Sequence, residues 1–208
     1  MTFIGGIAAA ALLAAPLVST PQASAPNEKI VIDVVTVLGS GCPTNTAAVA
    51  VSPDNTAFTV TYSNYLAQVG VGAKATDSRK NCQVNLRVRV PSGFTYAVAQ
   101  TDHRGYGFLE KGATATARAN YYFQGMSQTV YKQQTFRGPL DDNWQTTHLT
   151  DIAALSWHPC GESRNLNINT ELRVAGGTSD LRKTTSFMTM DSTDGSIKTT
   201  YHLSWRRC

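Results

Sequence analysis

Four cysteines, four histidines and a scatter of carboxylates are the side chains of this chain that could do chemistry, and their spacing limits what that chemistry is. Cys42, Cys82, Cys160 and Cys208 form an even set with no Cys-x-x-Cys pair. That is the pattern of two structural disulfides in an oxidising compartment rather than of a zinc or redox site. His103, His148, His158 and His202 show neither His-x-His nor His-Glu-x-x-His spacing, so no metal centre and no cofactor are expected. His158, between Trp157 and Cys160, reads as a packed loop residue, and His202, on the polar phase of its segment, as a solvated one. Glu110, Asp141, Asp142, Glu162 and Glu171 could supply a glycosidase pair. Such a pair must face across a cleft at about 5 to 10 Å, a distance no spacing here dictates. There is no Gly-x-Ser-x-Gly elbow. The balance leans away from an enzyme and names no catalytic residue.

The densest polar cluster is Asp102-His103-Arg104-Gly105. Arg104 could fork two hydrogen bonds to a carboxylate or a sugar acid. The competing reading, and the favoured one, is structural: Asp102 caps the amides of a turn while Arg104 pairs with a buried acid, locking a corner between strands. Aromatic residues offer a third chemistry, because exposed rings stack on sugar faces. Tyr122 falls out of phase with Ala119, Tyr121 and Phe123, Tyr106 follows the Arg104-Gly105 corner, and Trp144 lies in an irregular stretch. These three are the candidates for an exposed platform, against the alternative that they pack in the core. Asp102, Arg104, Tyr106, Tyr122 and Trp144 are therefore the candidate binding residues.

The elements that must position them are strands. Val84, Leu86, Val88 and Val90 alternate with Asn85, Arg87 and Arg89. Leu166, Ile168, Leu172 and Val174 alternate with Asn165, Asn167, Asn169, Glu171 and Arg173, and Ile197, Tyr201, Leu203 and Trp205 with Lys198, Thr200, His202 and Arg206. Period two with one polar face marks half-buried strands. Weaker strands are expected at 30–38, 47–51, 57–62, 94–100, 113–123 and 185–190, with Ser52-Pro53-Asp54-Asn55, Pro91-Ser92-Gly93, Gly138-Pro139, Gly176-Gly177 and Asp194-Gly195 as turns. The fold class is all-β: a two-sheet antiparallel sandwich, jelly-roll-like, with two disulfides. Residues 136–161 are the least regular and are expected to be a long loop, where function concentrates on a β scaffold.

Residues 1–25 read as a secretory signal peptide, with an apolar run from Ile7 to Leu13 and an Ala23-Ser24-Ala25 cleavage pattern, although Pro26 follows it and no Lys or Arg precedes it. The run is too short for a membrane span, which takes roughly 20 apolar residues. Residues 26–208 make one domain of a size that buries a core without help from disulfides. The net charge of +4 lies entirely after residue 25. It is dispersed rather than clustered, which argues against nucleic acid and allows only a weak preference for acidic polymers. No Asn-x-Ser/Thr sequon occurs, so N-glycans are not expected.

Several phrases coincide: Gly39-Ser40-Gly41-Cys42-Pro43, Arg79-Lys80-Asn81-Cys82, Pro91-Ser92-Gly93-Phe94, Tyr121-Tyr122-Phe123-Gln124-Gly125, Trp157-His158-Pro159-Cys160-Gly161 and Ser204-Trp205-Arg206-Arg207-Cys208. Over essentially all of residues 26–208 the chain resembles a family of small secreted four-cysteine bacterial and fungal proteins classed as a domain of unknown function. The resemblance implies a secreted, disulfide-bonded β domain and no activity. The family's usual Asp-Tyr-Arg-Gly phrase reads Asp102-His103-Arg104-Gly105 here. Four cysteines allow three pairings. Cys42 with Cys82 and Cys160 with Cys208 is the expected one, the second stapling the last strand to the loop before the Leu166 strand.

The combination of export, a β scaffold, aromatics and no catalytic motif points to a non-catalytic binding or surface-interaction module. Its expected partner is extracellular polysaccharide or cell wall, and its location outside the cell, with no membrane span once the leader is removed. Two alternatives remain open: an extracellular hydrolase of a similar polymer using carboxylates in residues 136–171, and a secreted inhibitor, toxin or effector acting on a protein partner.

Overall fold

The computed structural model describes residues 23–190 and 198–208. Residues 1–22 of the expected leader, Ile197 of the last alternating run and the Asp194-Gly195 turn lie outside them. The described residues form twelve strands in order: β1 (Val31–Leu38), β2 (Ala47–Val51), β3 (Ala57–Tyr62), β4 (Leu66–Gly70), β5 (Arg79–Arg89), β6 (Phe94–Leu109), β7 (Thr114–Phe123), β8 (Val130–Arg137), β9 (Leu140–Leu149), β10 (Leu166–Ala175), β11 (Thr185–Thr189) and β12 (Thr199–Arg207). They form two antiparallel sheets, one of five strands in the order β1-β5-β10-β7-β8 and one of seven in the order β2-β3-β12-β6-β11-β4 with β9 also paired to β6. Alternation drives this arrangement, since each strand presents one apolar face and only a second sheet can cover it.

The core between the sheets interdigitates large rings. Phe58 stacks on Tyr201 at 4.9 Å within the seven-stranded sheet. Tyr96 meets Phe123 of the opposite sheet edge-on at 5.4 Å, and Tyr121 meets Tyr201 likewise at 6.5 Å. Edge-on pairs of this kind add to area burial by about 1 kcal/mol each. Tyr65 also crosses the core, and its hydroxyl donates to Thr170 Oγ1 of β10 at 3.2 Å.

Two disulfides fix the ends of the sandwich. Cys42 is bonded to Cys82 on β5, and Cys160 to Cys208, directly after β12. The first bridge holds the Gly39-Ser40-Gly41 loop on β5, where Gly41 N–H donates to Asn81 O at 2.8 Å. Glycine is required at 41 because the Tyr65 ring fills the space a Cβ would take, 2.2 Å from Cε2. At the N-terminal side, buried Asn55 donates to the carbonyls of Pro26 and Glu28 and accepts from Ile30 N–H. Ala23 N–H donates to Trp205 O, so the described segment from residue 23 is docked against β12 and the β2-β3 turn.

Three strands fall where the pattern predicts none: β4, β8 and β9. The largest departure is β9, which occupies the stretch expected to be a long loop. Its inward side carries Leu140, Trp144, Thr146 and His148, with exposed Asp142 breaking the phase, too few apolar residues to show period two. Backbone pairing with β6 from Gln100 to Leu109 makes it a strand nonetheless. β6 itself runs 16 residues instead of ending at Gln100. One of its edges carries β12 along Phe94 to Asp102 and then β11 along residues 106–108; the other carries β9. The Asp102-His103-Arg104-Gly105 phrase is thus the middle of a strand and not a turn.

Candidate functional site

The middle of β6 alternates strictly. His103, Gly105 and Gly107 face the core, while Asp102, Arg104 and Tyr106 face out from the seven-stranded sheet. Three of the five sequence candidates therefore share one face. Asp102 does not cap a turn: it accepts from Thr147 Oγ1 at 2.6 Å on β9, His202 Nε2 at 2.7 Å on β12 and Gln100 Nε2 at 3.1 Å. Its partial burial would raise the carboxyl, and these hydrogen bonds outweigh that and hold it below the usual carboxylate range. His202, expected to be merely solvated, is tied through Nε2 to the Asp102 carboxylate. Arg104 is exposed and makes no ion pair or side-chain hydrogen bond among the described residues, in place of the expected buried acid. Tyr106 is half-buried, donates its hydroxyl to Asp141, and adjoins Phe187 at 5.9 Å, which stacks on Phe108 at 5.8 Å.

Trp144 leaves the candidate platform. It is 4 % exposed and packs against Phe136 at 5.2 Å, because its position on β9 points inward opposite Gly105. Tyr122 does point outward, but from β7 in the other sheet. The five candidates thus divide between two opposite faces and the core.

Tyr122 leads to a site that the candidates missed. On the outer face of the five-stranded sheet, Asn169 of β10 stands directly opposite Gln83 of β5 on one side and Asn120 of β7 on the other. Asn120 in turn faces Tyr131 of β8, a residue 58 % exposed. The Gln83, Asn169 and Asn120 amides have no side-chain hydrogen bond among the described residues. They line an open groove of about 380 Å³. With strands about 4.8 Å apart, the row from Gln83 to Tyr131 spans roughly 14 Å.

The rows on either side are internally satisfied. Asn85 donates to Asn167 Oδ1 at 2.7 Å and accepts from Asn165 Nδ2 at 2.7 Å, with Tyr122 beside Asn167. On the other side Glu171 is held by Arg79 Nε at 2.6 Å and by Arg118 Nη1 at 3.5 Å. Cys82 and Thr170 lie at the floor of the groove, tied respectively to the Cys42 disulfide and to the Tyr65 hydroxyl. The groove is therefore a rigid polar surface whose central amides can each donate and accept toward a ligand. The sequence signal was the amide-rich polar phase of Asn165, Asn167 and Asn169, since Asn is depleted in strands. Among the described residues no cluster of three or more His, Cys, Asp or Glu could hold a metal.

The family model described as "Domain of unknown function (DUF4360)" matches residues 28–208, and so takes in both sheets, all four cysteines and the groove. The chain belongs to the DUF4360 family. A protein of Arthroderma benhamiae named "Uncharacterized secreted protein" is 36 % identical over 181 residues, covering 87 % of this chain and 73 % of that protein. No described helix of this DUF4360 chain is long and apolar enough to cross a membrane.

Proposed function

We propose that this DUF4360 domain is a secreted, non-catalytic module that binds polysaccharide or cell-wall material through the outer face of its five-stranded sheet. The observation that carries the reading is the unpartnered Gln83, Asn169 and Asn120 row in its groove. Sugar hydroxyls both donate and accept, as these amides do, and the Tyr122 and Tyr131 rings flank the row as stacking surfaces. Export is supported by the expected leader at 1–25, by two disulfides and by the secreted relative. A binding role is favoured over hydrolysis because the one carboxylate lining the groove, Glu171, is engaged by two arginines. A glycosidase needs a second carboxyl across the substrate.

The test incubates the oxidised, leader-free protein with insoluble polysaccharides and cell-wall fractions, measuring both bound protein and released sugar. Retention without release, weakened in Asn169→Ala and Asn120→Ala, is the expected result. Release of soluble sugar would replace this reading with hydrolysis, and retention by no fraction would turn the search to protein partners.

A further inference from the structure

The modest net charge of the chain hides a sorted surface. The outer face of the five-stranded sheet carries Arg79, Arg87, Arg89, Arg118, Arg137 and Arg173 against Asp33 and Glu171 alone. Both acids are already paired, Asp33 with Arg89 at 2.8 Å and Glu171 with Arg79 and Arg118. Arg87, Arg137 and Arg173 are exposed and make no ion pair or side-chain hydrogen bond among the described residues. They stand at the two ends of the face. Arg87 lies four residues along β5 from Gln83, and Arg173 four residues along β10 from Asn169 in the opposite direction. At about 3.4 Å per residue the free cations are roughly 27 Å apart, with the amide row midway. On the opposite sheet the middle of β6 shows no such excess, with Arg104 between Asp102 and the Tyr106–Asp141 pair.

We infer that the ligand of this face is an anionic glycan, a polyuronate-like chain whose carboxylates meet Arg87 and Arg173 while its hydroxyls meet Gln83, Asn169 and Asn120. This rests on the glycan-binding reading above and narrows it to a substrate class. The guanidinium fork matches a carboxylate in two hydrogen bonds. The central row selects sugar over other polyanions, because a phosphate chain only accepts and would leave the oxygen of each amide without a donor.

The test compares polygalacturonate with its methyl ester, which keeps the backbone and removes the charge, and adds single-stranded DNA as a non-glycan polyanion. The acid form is expected to bind at least about tenfold more tightly than the ester or the DNA, and to weaken as salt rises. Arg87→Gln with Arg173→Gln should lose about tenfold toward the acid form, since two rim ion pairs supply on the order of 1.4 kcal/mol. Arg182→Gln with Lys183→Gln removes the same charge from an exposed loop and should change nothing. Thermal unfolding of each variant checks that the fold is kept. Equal binding of acid and ester overturns the anionic inference and leaves the glycan reading standing. DNA binding as tight as the acid form, or equal loss in both double variants, overturns it as unspecific charge. Retention by no polysaccharide or wall fraction sinks both readings.

Discussion

The indole of Trp144 covers Gly105, its cross-strand neighbour on β6, so closely that a Cβ at residue 105 would lie 2.5 Å from the ring and 1.9 Å from Thr189 O. This contact explains why a tryptophan in a polar stretch is buried, and why the phrase around Arg104 contains a glycine in mid-strand. Gly105→Ala should destabilise the domain by about 1 to 3 kcal/mol through overpacking. Glycan retention by the folded fraction should not change, because the groove is on the other sheet. Urea unfolding alongside a retention assay checks both halves.

Asn167 and Asn169 are two residues apart on one face of β10, yet their substitutions should do opposite things. Asn167 is 6 % exposed and accepts from Asn85, so Asn167→Ala should cost about 1 to 2 kcal/mol of stability. Asn169 is part-exposed with a free amide, so Asn169→Ala should leave stability within about 0.5 kcal/mol while weakening retention up to about tenfold. Melting and retention measured on the same two proteins separate the roles.

His103 sits in the core with neither ring nitrogen hydrogen-bonded among the described residues. Burial, aided by the nearby His148, pushes its imidazole down to about 4. The unfolded chain, with an ordinary value near 6.5, binds the proton first, so stability is intact above about pH 6.5 and falls as pH drops toward 4. The loss from this group is on the order of 3 kcal/mol. His148 and His158, also lowered chiefly by burial, add to the same slope. His103→Phe should therefore flatten, without abolishing, the decline between pH 6.5 and 4 in a denaturant series; an unchanged slope would remove His103 from the explanation.

The Cys160–Cys208 bridge closes a separation of 48 residues and the Cys42–Cys82 bridge one of 40. Chain entropy assigns about 4 kcal/mol to each. Cys208→Ser with Cys160→Ser should show that loss in unfolding experiments and leave groove binding intact once folded. The Cys42 and Cys82 double serine variant should weaken binding as well, because Cys82 lies under the amide row.

Strands with strict period two, β5 and β10 above all, were legible in the sequence because their apolar phase is unbroken from Val84 to Val88 and is interrupted from Leu166 to Val174 by Thr170 alone. β9 was not, since its inward side mixes Leu140 and Trp144 with Thr146 and His148 and its existence depends on the edge that β6 offers. Asp102, Arg104 and Tyr106 could be placed on one face by parity once they are known to lie in a strand. The amide row was beyond reach for a different reason. Gln83, Asn120 and Asn169 are far apart in the chain, and only the register of β5, β10 and β7 sets them side by side.

The most direct measurement follows the side-chain amide resonances of the folded protein by NMR while a soluble polyuronate oligomer is titrated in. The NH₂ signals of Gln83, Asn169 and Asn120 are predicted to shift together and saturably, while those of Asn143 and Gln145, on β9 in the other sheet, stay still. Shifts confined to β6 and β9, or none at a concentration where wall material is retained, would contradict the assignment of the five-stranded face as the binding surface.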